Sequence, residues 1–241
     1  MVRTRRFSAE STVTLLSTEL NLPTACMHVK GYGGLKQCVA DAQRNLKDYQ
    51  FVCKTDVLHY YETIDQYLLI EQIHQQIENK TLRHYLYQVV HRTVEYGGNY
   101  QDINHGISRG CPISPILGAL YLKTLDDAFS NQSNVYYVRY MDDILIMTKT
   151  RWQNRKAIKL LNQYFNALKV KQHPDKTFID KIEKRFDFLG HHVSRKTLSL
   201  SKKAIKERIR RLYGQKRPLH ERWLSFWAIM LNVGIYGVER D

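Results

Sequence analysis

The chain has 241 residues, 43% hydrophobic and 25% charged, a globular composition with room for one large or two small domains. No apolar run approaches the ~20 residues needed to cross a bilayer, so no membrane span is expected and no membrane partner. The formal net charge of +14 points to a polyanion, nucleic acid first, with a merely basic and soluble surface as the alternative.

Four cysteines, Cys26, Cys38, Cys53 and Cys111, lack the paired spacing of a zinc site or a disulfide frame and read as reduced thiols. Arg3, Arg5 and Arg6 open the chain with no apolar stretch behind them, which argues against secretion; a short free basic tail is the default reading, an organellar presequence the alternative, and a cytoplasmic location the expectation.

In chain order, Val13, Leu15, Leu16 and Leu20 suggest a short helix within residues 8–22. Cys26 to Gly34 holds three glycines near Lys30 and predicts a tight loop able to approach a phosphate, although its order is not that of a P-loop. Leu35, Val39, Ala42 and Leu46 then recur at helical spacing. Phe51 to Thr55 reads as a strand that delivers Asp56 at its end, followed closely by Tyr60 and Tyr61. A flat ligand could stack on these rings, though core packing is the commoner use of a tyrosine.

Asp65 suits the cap of a helix whose apolar face uses Leu68, Leu69, Ile73 and Ile77. Leu82, Leu86, Val89, Val90 and Val94 predict another helix, running to Tyr96 before Gly97-Gly98-Asn99. Next, Gly106 to Pro115 contains Arg109 and Gly110 and closes on Ser114-Pro115, a fitting N-cap and first helical residue. The helix that follows places Leu117, Leu120, Tyr121, Thr124 and Ala128 on one side. Glycines and an arginine before a helix start suit an anion, and a purely structural loop fits nearly as well.

Val135-Tyr136-Tyr137-Val138 and Ile144-Leu145-Ile146-Met147 flank Tyr140-Met141-Asp142-Asp143, which predicts a β-hairpin with two adjacent carboxylates at its tip. A bare Asp-Asp pair is most simply an acidic turn. The buried flanks, the basic chain and the isolated Asp56 upstream shift the balance toward a cation site. Oxygen-only ligands suit magnesium, and Asp56 brought beside the hairpin tip would gather three carboxylates around two Mg2+ ions. Such a centre serves phosphoryl transfer, which needs mainly alignment and charge neutralisation.

After the hairpin, Ile158, Leu161, Tyr164, Phe165 and Leu168 mark an amphipathic helix, His173 to Thr177 a turn, and Phe186-Asp187-Phe188 a short strand before Leu189-Gly190. Between Lys202 and Arg222 stand Lys202, Lys203, Lys206, Arg208, Arg210, Arg211, Lys216, Arg217 and Arg222 against only Glu207 and Glu221. A last apolar helix carries Trp223, Phe226, Trp227 and Met230.

Together these motifs resemble a reverse transcriptase palm of the bacterial group II intron and retron type. Tyr140 to Asp143 is similar to the family's Tyr-x-Asp-Asp box, and Asp56 with Tyr60-Tyr61 and Thr63-Ile64-Asp65 to its first carboxylate motif. Gly106 to Pro115, Pro174 to Thr177 and Phe188-Leu189-Gly190 resemble its nucleotide loop, lysine motif and primer grip, in the family's order.

The resemblance implies an α+β polymerase palm, an antiparallel sheet backed by helices, with a helical partial thumb and the fingers largely missing. The expected division is residues 1–25 as a tail and remnant of fingers, 26–194 as palm, and 195–241 as a basic thumb-like segment. It implies Asp56, Asp142 and Asp143 as catalytic metal ligands, with the Val57 carbonyl as a further ligand. Tyr61 would gate against a ribose 2′-hydroxyl with Tyr60 packed beneath, and Arg109, Gly110 and Lys176 would meet the nucleotide. Tyr140, Met141, Leu189, Gly190, Lys202, Lys203 and Arg210 would meet primer and template. The implied partners are an RNA template, a DNA or RNA primer, deoxynucleoside triphosphates and a structured intron or retron RNA.

Two departures stand out: Arg109 occupies the family's usual Gln position, and no basic fingers motif is visible. A truncated or partner-dependent enzyme is therefore expected, with a catalytically weak or inactive RNA-binding, maturase-type protein as the alternative.

Overall fold

A computed structural model describes residues 16, 19–202, 204–207 and 210. Most of the expected N-terminal helix, Lys203, and everything past Arg210, including the last apolar helix, lie outside the described residues.

Helix α1 spans Gly34–Asn45 and buries Cys38, Val39 and Ala42, while Leu35, expected inside, is 37% exposed because it sits on the first turn. Strand β1 follows at Phe51–Asp56, and a single helical turn at Tyr60–Thr63. Helix α2, Gln66–Gln76, starts where the Leu68 N–H donates to Asp65 Oδ1, and α3, Lys80–Val90, starts on an equivalent bond to Asn79.

The expected continuation of α3 to Tyr96 is corrected. Thr93–Tyr96 is strand β2, paired with β3 at Asn99–Asp102 across Gly97-Gly98. Both glycines have positive φ, so the two-residue glycine turn closes a hairpin that a helical reading of Val94 overrode.

Helix α4 spans Ser114–Tyr121 and α5 spans Lys123–Ser130, a break at Leu122 where one helix was expected. Ile113, not Ser114, is the N-cap. The Ser114 hydroxyl instead donates to the Ser108 carbonyl and ties the preceding loop to the helix. Beyond the break the buried face passes to Leu125, Asp126 and Phe129, leaving Thr124 exposed.

Strands β4, Val135–Tyr140, and β5, Asp143–Thr148, form the expected hairpin. Helix α6, Arg151–Ala167, opens with a capping box between Thr150 and Gln153. Strands β6, Phe178–Lys181, β7, Phe186–Phe188, β8, His191–Val193, and β9, Leu198–Leu200, complete the described chain. β9 pairs with β8, so the expected division at residue 195 falls inside the three-stranded sheet β7-β8-β9.

The main antiparallel sheet has the order β4-β5-β1-β6, and its central strands β5 and β1 are buried on both faces. Successive residues alternate between two cores: Cys53, Tyr137, Ile144 and Ile146 meet the helices α2 to α6. Val52, Val138, Leu145 and Met147 meet α1, Phe186 and Phe188. That two-sided burial explains why Ile144 to Met147 is continuously apolar. The result is the expected α+β architecture, a sheet backed by helices.

Candidate active site

Pairing of β1 with β5 sets Asp56 directly opposite Asp143. Opposed residues of an antiparallel pair project to the same face with neighbouring side chains, so two residues 87 positions apart become neighbours through register alone. The ladder runs one bond further, the Val57 N–H donating to the Asp142 carbonyl at 3.1 Å. Tyr140 pairs with Asp143 across Met141-Asp142, and Met141 takes the left-handed conformation the tight turn demands, φ 55°.

Like charges held this close raise one another's proton affinity. Burial first, then the Asp56 carboxylate, holds the Asp142 carboxyl above the usual range. Burial also pushes Asp143 up to about 6, with Lys54 opposing and Asp142 and Asp56 adding to the rise.

Two lysines partly neutralise the cluster. Lys176 Nζ lies 2.8 Å from Asp56 Oδ2, and Lys54 Nζ lies 3.9 Å from Asp143 Oδ1. Lys176 arrives because the chain after α6 runs beside the end of β1, with His173 N–H donating to the Asp56 carbonyl and Thr55 bonding Thr177.

Among the described residues no three His, Cys, Asp or Glu side chains form a ready metal cluster, and Asp56 bonds Lys176 instead. The donor chemistry nevertheless fits a divalent cation. The carboxylates on β1 and the β4–β5 turn are oxygen-only and mutually repelling, and a cation already occupies part of their field.

Around the carboxylates, Tyr60 is buried and donates to the Gly118 carbonyl, and Tyr61, half-buried, stacks on it at 5.5 Å between ring centroids. A Cβ on Gly118 would stand 3.1 Å from the Tyr61 ring and 3.2 Å from the Tyr60 ring, so glycine is what lets α4 carry both. The Tyr61 hydroxyl is raised by burial and by Asp142, which brings ring and carboxylate into one field.

The loop before α4 is pinned to the same turn, Ile107 N–H donating to the Tyr61 carbonyl and Gly106 N–H to that of Ile64. Arg109 pairs with Glu62 at 3.0 Å and is exposed, and Gly110, φ 85°, leaves open space over its backbone. Leu189-Gly190 forms the β7–β8 turn, and Leu189 and Tyr140 pack on the same apolar cluster. Lys202 and Arg210 are exposed, and nothing in the geometry ties either of them to the carboxylates.

Three residues that hold the hairpin tip were missed in the sequence. The loop Ala25–His28 runs parallel to the end of β4, with Arg139 N–H donating to the Ala25 carbonyl and Met27 N–H to that of Arg139. This delivers His28, whose Nδ1 accepts from the Met141 N–H at 2.9 Å while Nε2 lies 3.1 Å from the Pro115 carbonyl. Burial and the nearby Arg139 charge lower His28 to about 4, so it is neutral with the proton on Nε2.

From the other side, fully buried Arg139 donates through Nη1 to the Met141 carbonyl at 2.8 Å and grips Asp126, with Nε to Oδ1 at 2.8 Å. Tyr137 adds its hydroxyl to Asp126 at 2.6 Å. A charged residue inside the otherwise apolar run Val135–Tyr140 was the available signal for this network. Its partner Asp126 lies on another element and only the fold reveals it.

The sequence matches the family model for reverse transcriptase (RNA-dependent DNA polymerase) over residues 11–193. The comparison with curated proteins gave no match. Apo telomerase from Candida tropicalis superposes with a TM-score of 0.66 at 11% identity, covering 94% of this chain and 44% of that one. Telomerase from Candida albicans, solved with the TWJ fragment of telomeric RNA, superposes at 0.62 and 12% identity, covering 96% and 47%. The chain thus spans less than half the length of these structures, and at such identities they share its fold. With the family model covering most of the chain and the fold agreeing, the chain belongs to the reverse transcriptase (RNA-dependent DNA polymerase) family.

Proposed function

We propose that this chain carries out RNA-directed DNA synthesis, extending a DNA or RNA primer on an RNA template with deoxynucleoside triphosphates. The observation that carries the reading is the register that sets Asp56 opposite Asp143 beside Asp142. Asp56, Asp142 and Asp143, with the Val57 carbonyl, would hold two Mg2+ ions, which when bound activate the primer 3′-hydroxyl and neutralise the triphosphate. Lys176 would exchange Asp56 for the triphosphate, keeping the site's charge balanced as substrate enters. Tyr61 offers a ring edge against a ribose 2′-hydroxyl, held in place by Tyr60 and Gly118. Gly110 presents bare backbone to the nucleotide, and Arg109 supplies donors beside it. Tyr140, Met141, Leu189 and Gly190 would seat the primer end, with Lys202, Lys203 and Arg210 along the duplex.

The finer assignments belong to the same reading: a bacterial group II intron or retron type, a structured intron or retron RNA as partner, a cytoplasmic location, and a palm over 26–194 followed by a thumb-like segment. A second reading, an RNA-binding protein without catalysis, is favoured by one observation, the Lys176–Asp56 ion pair, which already neutralises one of the three carboxylates without a metal ion. Primer extension on an RNA template with deoxynucleotides and magnesium separates the two. Extension by the native chain that Asp142→Asn abolishes supports synthesis, whereas tight RNA binding with no extension by either protein supports the second reading.

A further inference from the structure

Helix α6 carries Arg151, Arg155, Lys156 and Lys159 and no acidic residue along its whole length. Lys149 and Arg151 stand at its N-terminus, where the helix dipole disfavours cations, so this placement costs stability unless an anion offsets it. The outward face also holds Trp152, 69% exposed, with Lys156 Nζ 5.5 Å from its ring centroid.

Beneath the same end of α6 lies a cavity of about 510 Å3, within the range of small-molecule sites. It is lined by Phe51, Arg151, Asn154, Arg155, Ile179 and Lys181. Asn154 is 5% exposed, and its Oδ1 is buried with no hydrogen-bond partner. A buried amide left unsatisfied inside a cationic cavity asks for a polar ligand. The one carboxylate there, Asp180, is taken by Lys184 at 2.6 Å, so the cavity's field stays positive.

This site is separate from the carboxylates. Phe51, Ile179 and Lys181 share the sheet face of Cys53, under α6, whereas Asp56 and Asp143 share the opposite face with Lys54. Phe51 is also the far end of β1, about 17 Å along the strand from Asp56.

We propose that the cavity under α6 seats one nucleotide of a single-stranded RNA that runs along the helix. Its phosphates are held by Arg151, Arg155 and Lys181, the Asn154 amide bonds the sugar or base, and a neighbouring base stacks on Trp152. Cations repeated along α6 beside an exposed indole match a strand rather than a single free phosphate. The surface anchors RNA behind the palm and does not depend on the proposed synthesis, because none of its residues belongs to the candidate active site.

The test uses the full chain and fluorescein-labelled polyuridylate, with anisotropy followed against KCl concentration. Arg151→Glu/Arg155→Glu is expected to weaken binding at least about tenfold at low salt. It should also reduce the slope of log affinity against log salt by about 1.4, the value for two lost phosphate contacts on a single strand. Asp142→Asn should bind as the native chain does, and a loss of extension in that variant with polyuridylate binding intact separates the two claims. Photocrosslinking of 4-thiouridine RNA should label the peptide containing Trp152, and Trp152→Ala should abolish that label while preserving the fold. An unchanged slope in the folded double variant overturns the proposal, as does crosslinking confined to other peptides. Full competition by uridine monophosphate would overturn it in favour of a free-nucleotide site, and competition by polyglutamate but not by unlabelled RNA in favour of an acidic protein.

Discussion

Replacing Arg139 with methionine is the sharpest probe of how the hairpin tip is held. Methionine fills much of the arginine volume, but Asp126, fully buried, would keep only the Tyr137 hydroxyl as a donor. Breaking a buried pair from one side costs about 3–5 kcal/mol, because a buried charge is left uncompensated. The Met141 and Ala119 carbonyls also lose their Arg139 donors.

With a urea m-value of about 2 kcal/mol/M, a loss of about 4 kcal/mol moves the midpoint down by about 2 M. Arg139→Met/Asp126→Leu should recover most of the loss, since an apolar replacement of both partners removes the stranded charge. Urea unfolding of the two single variants and the double variant, as a cycle, measures this. A loss under about 1 kcal/mol for Arg139→Met, or additive losses in the double variant, would refute the account of a buried clamp.

Other expectations follow from the same geometry. His28→Asn keeps an acceptor near the Met141 N–H, whereas His28→Gln keeps only the reach to the Pro115 carbonyl. Each should cost on the order of 1 kcal/mol, with primer extension slowed far more by the glutamine, and equal rates would refute the assigned role. Burial pushes Cys26, Cys38 and Cys53 up to about 12, so in the native chain only Cys111 should react with a thiol reagent, the other three following on denaturation. Fast labelling of a second thiol would contradict the described packing. Asp143 sits at about 6 in the fold, above its unfolded value, so the folded state binds the extra proton between about pH 4 and 6. Metal-free protein should therefore gain stability as pH falls through that window, by at most about 3 kcal/mol, and Asp143→Asn should flatten the profile.

What could be read from the sequence was whatever repeats locally. Short apolar runs rich in β-branched and aromatic residues betrayed the strands around Asp142, and the cap at Asp65 needed only its own helix. Asp56 was legible as a carboxylate at a strand end, and its convergence with the hairpin tip followed as a chemical expectation that the resemblance reinforced, but the pairing with Asp143 itself depends on register between distant strands. Thr93–Tyr96 reads as helix in the sequence because Val94 fits a helical period and a glycine pair can end a helix as readily as it closes a hairpin. The break at Leu122 has no composition signal. His28, Arg139 and Asp126 escaped because their meaning lies in contacts across the chain. The cavity under α6 was invisible for the same reason, since Phe51 and Lys181 reach Asn154 only through the fold.

The central claim is that Asp56 and the Asp142-Asp143 turn serve one cation site. Substituting Fe2+ for magnesium and adding ascorbate and peroxide generates hydroxyl radicals that cut the backbone beside bound metal. The account predicts paired cleavage near residue 56 and near residues 141–143, both suppressed by excess magnesium and both lost in Asp142→Asn. Cleavage at one of these segments without the other, or at neither, would contradict it.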